Sequence, residues 1–207
     1  MLIAVDGTES ANWVTASGSN SSVYKFCSDY RGIKKYLNGP ASSDGLLSVD
    51  GIVDEAIDFF GDVPEGVRWR DGLDLVGHSR GGLVVIRFAK KLRTKYPAAF
   101  IRFMGLYDAV DRCAWGTGSD VVTENVKLVV HARRNPKAKS RTSFGNCGVR
   151  GGQKYVQGFF MGTHSAIGGD PWGGDKPKGL DQIADTKASA LADAFVRKHA
   201  ASVNVPL

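Results

Sequence analysis

The sequence predicts an α/β protein built on a mostly parallel sheet, with helices on both faces. Two observations carry this. Short apolar runs recur along the chain, and they alternate with segments whose apolar residues repeat at helical spacing. Helices or long crossovers separate the runs, which is how parallel strands are joined. A third observation bears on domain count: 207 residues without an internal repeat or linker suit one domain.

Leu2-Ile3-Ala4-Val5 reads as a buried strand that ends at Asp6-Gly7-Thr8. Ser21 to Arg31 is helical, because Val23, Phe26, Cys27 and Tyr30 share one face. A loop follows, marked by Gly39-Pro40 and Ser42-Ser43-Asp44-Gly45. Ile52, Val53, Ala56, Ile57 and Phe60 form the next amphipathic face, which Gly61 closes. Leu73 to Gly77 is the second strand. Behind it Val85, Phe88, Ala89 and Leu92 mark a helix that ends before Pro97. Phe100–Tyr107, Val126–Val130 and Tyr155–Met161 are the third, fourth and fifth strands. The tail, from about Asp181 to Ala200, carries Ala184, Ala188, Leu191 and Phe195 on one stripe of a closing helix. Ligands of such sheets sit beyond the carboxyl ends of the strands.

Composition narrows the function classes. Hydrophobic residues at 43% and charged residues at 23% are ordinary for a soluble globular chain. The formal net charge of +6 is spread over Lys34-Lys35, Lys90 to Lys95 and Arg133 to Arg141. Spread charge reads as solvated surface. It leaves room for peripheral contact with an anionic membrane, while no aromatic-interleaved basic motif points to nucleic acid. Cys27, Cys113 and Cys147 are too few and scattered for a disulfide framework or a zinc site. Met1 to Asp6 reaches an acidic residue too early for a Sec signal, and no apolar run approaches the ~18 residues of a membrane helix. A cytosolic product is expected, exported, if at all, by a signal-independent route. Oligomeric state is not legible.

Gly77-His78-Ser79-Arg80-Gly81-Gly82 carries the chemistry. Gly-x-Ser-x-Gly after an apolar strand and before a helix is the nucleophile elbow: a strained turn exposes the hydroxyl, and glycines let neighbouring backbone pass. The helix start offers amide N–H groups to an oxyanion. A serine nucleophile needs a base and the base needs a carboxylate, in chain order Ser, acid, His. Downstream lie His131, His164 and His199. His199 sits near the end of the tail helix and His131 ends the fourth strand, where a structural role fits. His164 opens a glycine-rich loop directly after the fifth strand and is the chosen base. Asp108 terminates the third strand and is the chosen acid, ahead of Asp111 and Asp170. The oxyanion donors are expected from the Arg80 amide and from the Gly7-Thr8 turn. No metal or organic cofactor is called for. Trp115 and Trp172 are candidate walls of an acyl pocket, and Arg80 is a candidate for an acidic head group. Ala4-Val5-Asp6-Gly7-Thr8 resembles the Asp-x-Asp-Gly-Thr signature of haloacid-dehalogenase-type phosphatases, but Ala4 stands where the nucleophilic aspartate is needed.

Taken together, Val5-Asp6-Gly7-Thr8, Tyr36 to Pro40, Gly77 to Gly81, Gly105 to Val110 and Gly162 to Gly169 resemble the α/β-hydrolase family that includes the catalytic domains of type VI secretion phospholipase effectors. The resemblance implies a compact α/β-hydrolase fold, Ser79, Asp108 and His164 as a triad, and hydrolysis of lipid esters. Against the family, no appended membrane-binding region is expected here, and Ala166 stands where an acidic residue is expected in relatives. A serine esterase or lipase acting on an ester or lipid substrate is the expectation. Its rival is a non-catalytic binding module on the same scaffold.

Overall fold

The computed structural model describes residues 1–8, 21–41, 45–68, 72–111 and 119–207. In chain order the elements are β1 (Leu2–Val5), α1 (Ser22–Asp29), β2 (Lys34–Leu37), α2 (Gly45–Asp62), α3 (Glu65–Arg68), β3 (Leu73–His78), α4 (Arg80–Lys95) and β4 (Ile101–Tyr107). There follow β5 (Val110–Asp111), β6 (Val121–Val122), β7 (Val126–Arg134), β8 (Gly145–Asn146), β9 (Arg150–Gly151), β10 (Lys154–Phe160), α5 (His164–Ile167) and α6 (Gln182–Ala201). One sheet of six strands runs in the order β10-β7-β4-β3-β1-β2, and every neighbouring pair in it is parallel. The mostly parallel α/β architecture is therefore what this chain forms.

Successive residues of a strand point to opposite faces, so each strand feeds two cores. Ile3, Val5, Leu75, Leu106 and Val129 pack against Val53, Ile57, Phe60, Phe88 and Leu92 of α2 and α4. Leu2, Ala4, Val76, Leu128 and Val130 pack on the other face against Phe26 of α1 and Ala192 and Val196 of α6. Burial on both faces is why β1 reads as an unbroken apolar run, and β3 as an apolar run interrupted by the buried Asp74.

Four features differ from the sequence reading. β2 is a sixth strand; as an edge strand it begins with Lys34 and Lys35, which hid it. β7 runs on past Val130 to Arg134, so His131 lies inside the strand and does not end it. α2 begins at Gly45, earlier than its apolar face suggested. The buried stripe of α6 is Asp185, Ala188, Ala192, Val196 and Ala200, which leaves Leu191 half exposed. Ser42, Ser43, Asp44, Cys113 and Trp115 lie outside the described residues. Cys27 and Cys147 are free, buried thiols.

Register aligns the carboxyl ends of the strands. Val5 faces Gly77, His78 faces Tyr107, Tyr107 faces Ala132 and Arg134 faces Phe160. Whatever follows β1, β3, β4 and β10 therefore emerges on one edge. β1 pairs with both β2 and β3, so the chain reverses its progress across the sheet there. Such a reversal opens a crevice at the strand ends, where ligands of open α/β sheets bind.

Candidate active site

β3 ends at His78 and α4 begins at Arg80, so Ser79 alone makes the strand-to-helix turn. Its backbone sits at φ 55° and ψ −126°. A non-glycine residue in such a region costs about 1–3 kcal/mol and stays there only when its surroundings impose it. Here the Ser79 N–H donates to Tyr107 O at 3.0 Å, and the Ser79 carbonyl accepts from Gly82 N–H and Val110 N–H, each at 3.1 Å. The glycines make room. A Cβ on Gly77 would lie 2.6 Å from Gly81 O, and one on Gly81 would lie 2.2 Å from Asp6 O.

Ser79, Asp108 and His164, proposed from the sequence, come together. Ser79 Oγ lies 2.8 Å from His164 Nε2, and His164 Nδ1 lies 2.7 Å from Asp108 Oδ2. All three side chains are buried. Burial alone would raise the Asp108 carboxyl; the hydrogen bond and charge of His164, and then Arg134, outweigh it and hold the carboxyl far below its usual range. An ionised Asp108 can only accept, so Nδ1 carries the imidazole proton and Nε2 turns its lone pair to the Ser79 hydroxyl. Burial pushes His164 below its ordinary value although Asp108 pulls it upward, which keeps the imidazole neutral near pH 7.

His164 is held through its backbone as well as its ring. It opens the single turn of α5, which Thr163 caps by accepting from Ala166 N–H. Asp185, fully buried on α6, accepts from Thr163 N–H at 2.6 Å, Thr163 Oγ1 at 2.9 Å and Trp172 N–H at 2.8 Å. The His164 N–H donates to Ser140 Oγ at 2.8 Å. The Phe144 ring stands edge-on to the imidazole, and the His78 ring lies 5.1 Å from it.

Asp108 is equally constrained. Asn146 Nδ2 donates to its Oδ1 at 2.8 Å, and the guanidinium of Arg134 donates to its Oδ2. Sequence reasoning missed Arg134, Asn146, Ser140 and Asp185. Arg134 belongs to the basic run read there as solvated surface, yet it is 7% exposed. No local pattern betrays it, because its partner arrives from the end of a neighbouring strand.

The oxyanion candidates divide. Arg80 is the first residue of α4, so its amide stands at a helix start beside Ser79. Its guanidinium is buried and donates to Ala41 O at 2.9 Å. The β1 turn does reach Ser79: a Cβ on Gly7 would lie 3.4 Å from Ser79 Cβ. Gly7 needs correcting as a donor, since its N–H donates to Asp6 Oδ1 at 2.8 Å and shapes the turn. Thr8 is left as the candidate from this turn, with a buried Oγ1 that has no hydrogen-bond partner among the described residues.

The other histidines and acids fall elsewhere. His131 is fully buried; its Nε2 accepts from Ala109 N–H at 3.0 Å and its Nδ1 faces Gly148 O at 3.1 Å, so it serves the backbone. Asp111 pairs with Gly145 across the β5–β8 ribbon. Asp170 lies in the loop after α5, where its N–H donates to Ser165 O. His199 packs against Phe195 on α6. Trp172, half-buried, carries Lys176 over its ring. Among the described residues, no cluster of three or more His, Cys, Asp or Glu side chains is arranged to hold a metal ion. No described helix is long and apolar enough to cross a membrane. A cleft of about 370 Å³ between α2 and α4, lined by Val53, Ile86, Lys90 and Thr94 among others, includes none of the triad.

In comparisons with known proteins, no family model and no curated protein sequence matches this chain.

Proposed function

We propose that the protein is a serine hydrolase that cleaves carboxylic esters through an acyl-enzyme. The observation that carries this is the hydrogen-bonded chain from Ser79 Oγ through His164 to Asp108, set on a backbone turn with φ 55°. Ser79 Oγ attacks the ester carbonyl while His164 Nε2 takes the hydroxyl proton. Asp108 holds the ring by accepting from Nδ1–H and stabilises the imidazolium. Negative charge that develops on the carbonyl oxygen is met by the Arg80 amide and by Thr8. The imidazolium then gives its proton to the leaving alcohol oxygen as the C–O bond breaks. Water, deprotonated by the same nitrogen, attacks the acyl carbonyl and frees Ser79.

Lipid or phospholipid esters are the proposed substrate class. This finer reading rests on the sequence resemblance to phospholipase effector domains, together with the cationic loops around His164. Lys137, Lys139 and Arg141 precede it and Lys176 and Lys178 follow it, suiting an anionic membrane surface.

The test is labelling by a fluorophosphonate probe, parent against Ser79→Ala. Serine-dependent labelling of the parent is expected. Its absence in folded protein would sink the enzyme and leave a binding module on this scaffold. A panel of esters varied in acyl length and head group then separates lipid from small soluble substrates.

A further inference from the structure

We infer that Arg134 is a positioning residue of the Ser79–His164–Asp108 array, and that its charge extends to lower pH the range in which His164 can act as a base. The inference rests on the serine-hydrolase reading above. Arg134 is the last residue of β7, the strand beside β4, at whose end Asp108 stands. Its guanidinium donates to Asp108 Oδ2, the same oxygen that accepts from His164 Nδ1, and its N–H lies 3.3 Å from Oδ1. The rest of the fork is spent on carbonyls: Nε on Ser140 O at 3.1 Å, and Nη2 on Arg141 O at 3.2 Å and Phe144 O at 2.5 Å.

Stability alone is a poor reason for this arrangement. Burying an ion pair costs about as much as the pair returns, and apolar replacements are often neutral or better. The geometry has two consequences for the imidazole. First, the segment that the fork grips supplies both Ser140, whose Oγ accepts the His164 N–H, and Phe144, whose ring edges onto His164. Arg134 thereby fixes where the ring stands. Second, a permanent positive charge shares a carboxylate oxygen with the imidazole. Protonating Nε2 places a second cation on that oxygen, so the imidazolium is disfavoured relative to an isolated Asp–His pair. The neutral, base-competent ring then persists to lower pH.

Among the other groups around His164, His78 also opposes a charged ring, so Arg134 acts together with it. His78 from β3 stacks obliquely on the ring, with Asp6 3.8 Å behind it on the β1 turn. Asp170 and Asp185 belong to the loop of His164 and to α6, and both are acids. Asp175 reaches the site through Ser140 Oγ. His131 of β7 is buried and bonds backbone groups. Arg133, the preceding residue, donates to Gln157 and to Asn146 Oδ1 at 3.2 Å and lies over the Phe159 ring, so it meets Asp108 only through Asn146.

The experiment is the rate of Ser79 labelling by a fluorophosphonate as a function of pH, for the parent, Arg134→Gln and Arg134→Lys. Melting curves on each protein establish folding. In Arg134→Gln the acid limb of the profile is expected to move up by about one pH unit. In Arg134→Lys the charge remains while the fork is lost, so the limb stays and the plateau rate falls. A purely structural Arg134 lowers the plateau and leaves every limb in place. A folded Arg134→Gln whose limb does not move overturns the inference while leaving the hydrolase reading intact. Should that variant not fold, the parent decides: NMR titration of the His164 ring is expected below the ordinary value of about 6.5. A midpoint at or above that value overturns the inference. A parent not labelled at any pH overturns the hydrolase reading itself.

Discussion

Replacing Asp185 by Asn removes one charge and leaves the shape almost unchanged. The structure allows the cost to be worked out. In the parent, Oδ1 accepts from Thr163 N–H at 2.6 Å, while Oδ2 accepts from Thr163 Oγ1 at 2.9 Å and Trp172 N–H at 2.8 Å. An amide has one oxygen. If its NH2 takes the Oδ1 place it opposes the Thr163 N–H; if it takes the Oδ2 place it opposes the Trp172 N–H. Either way two donors meet in a site with no exposed surface. Hydrogen bonds to a charged acceptor contribute about 1.5–3 kcal/mol each, and a buried donor left without a partner costs about 1–3 kcal/mol. A loss of about 3 kcal/mol follows, which for a chain of this size lowers Tm by about 6–12 °C. Thr163 immediately precedes His164, so the ring shifts with it. A misplacement of about 1 Å is enough to slow Ser79 labelling a hundredfold. Urea denaturation and fluorophosphonate kinetics measure the two effects. A folded Asp185→Asn with less than about 1 kcal/mol of destabilisation and an unchanged labelling rate would refute the reasoning.

Other expectations follow from the same geometry. Asp108→Asn, which removes the anionic partner of His164 Nδ1, is expected to slow Ser79 labelling by about 10³–10⁴-fold; parallel melting curves separate that loss from unfolding. Two glycine-to-alanine changes are expected to have opposite signs in urea denaturation. Gly81→Ala has no space, since its Cβ would lie 2.2 Å from Asp6 O, whereas Gly51→Ala on α2 meets nothing within 4 Å and should stabilise by about 0.5–1 kcal/mol. Burial of His131 depresses its pKa to about 4, so the unfolded chain binds its proton first as the solution is acidified. The stability this histidine contributes is complete above about pH 6.5 and is lost as pH falls towards 4, a loss of roughly 2–4 kcal/mol. Stability measured across that window should fall less steeply in His131→Gln, and an equal slope in the two proteins would count against a buried neutral ring.

The residues that could be read from the sequence share a physical signature. Ser79, Asp108 and His164 each follow a strand that is apolar along its length or nearly so, and a run that stops at a polar residue marks a sheet edge. Their side chains act at the ends of elements whose ends are visible. Arg134 fails that criterion. It closes β7 after His131, Ala132 and Arg133, where the apolar run has already faded, and its burial depends on a carboxylate 26 residues away. β2 hid behind edge lysines for a related reason, because an edge strand is not required to be apolar. α6 shows the opposite difficulty. Its alanines fit several stripes almost equally, and a stripe that includes Asp185 scores poorly until Thr163 and Trp172 are seen to bond it. The Gly7 and Thr8 pair was legible as a turn beside Ser79, but which of them has a group to spare depends on Asp6.

The triad spans long stretches of chain: 85 residues separate Ser79 from His164, and 56 separate Asp108 from His164. Only a run of elements from β3 through to α5 contains it. His164 is delivered by β10, an outer strand of the sheet whose sole partner among the described residues is β7, and Arg134 sits where these two strands end. On the proposed hydrolase reading, reactivity at Ser79 is thus a property of the finished sheet. In a refolding experiment, recovery of probe labelling should coincide with the docking of β10 and come no earlier, whatever helix content has already formed. Ser79 can then serve as a chemical clock for the last step of assembly, read without any need to know the natural substrate.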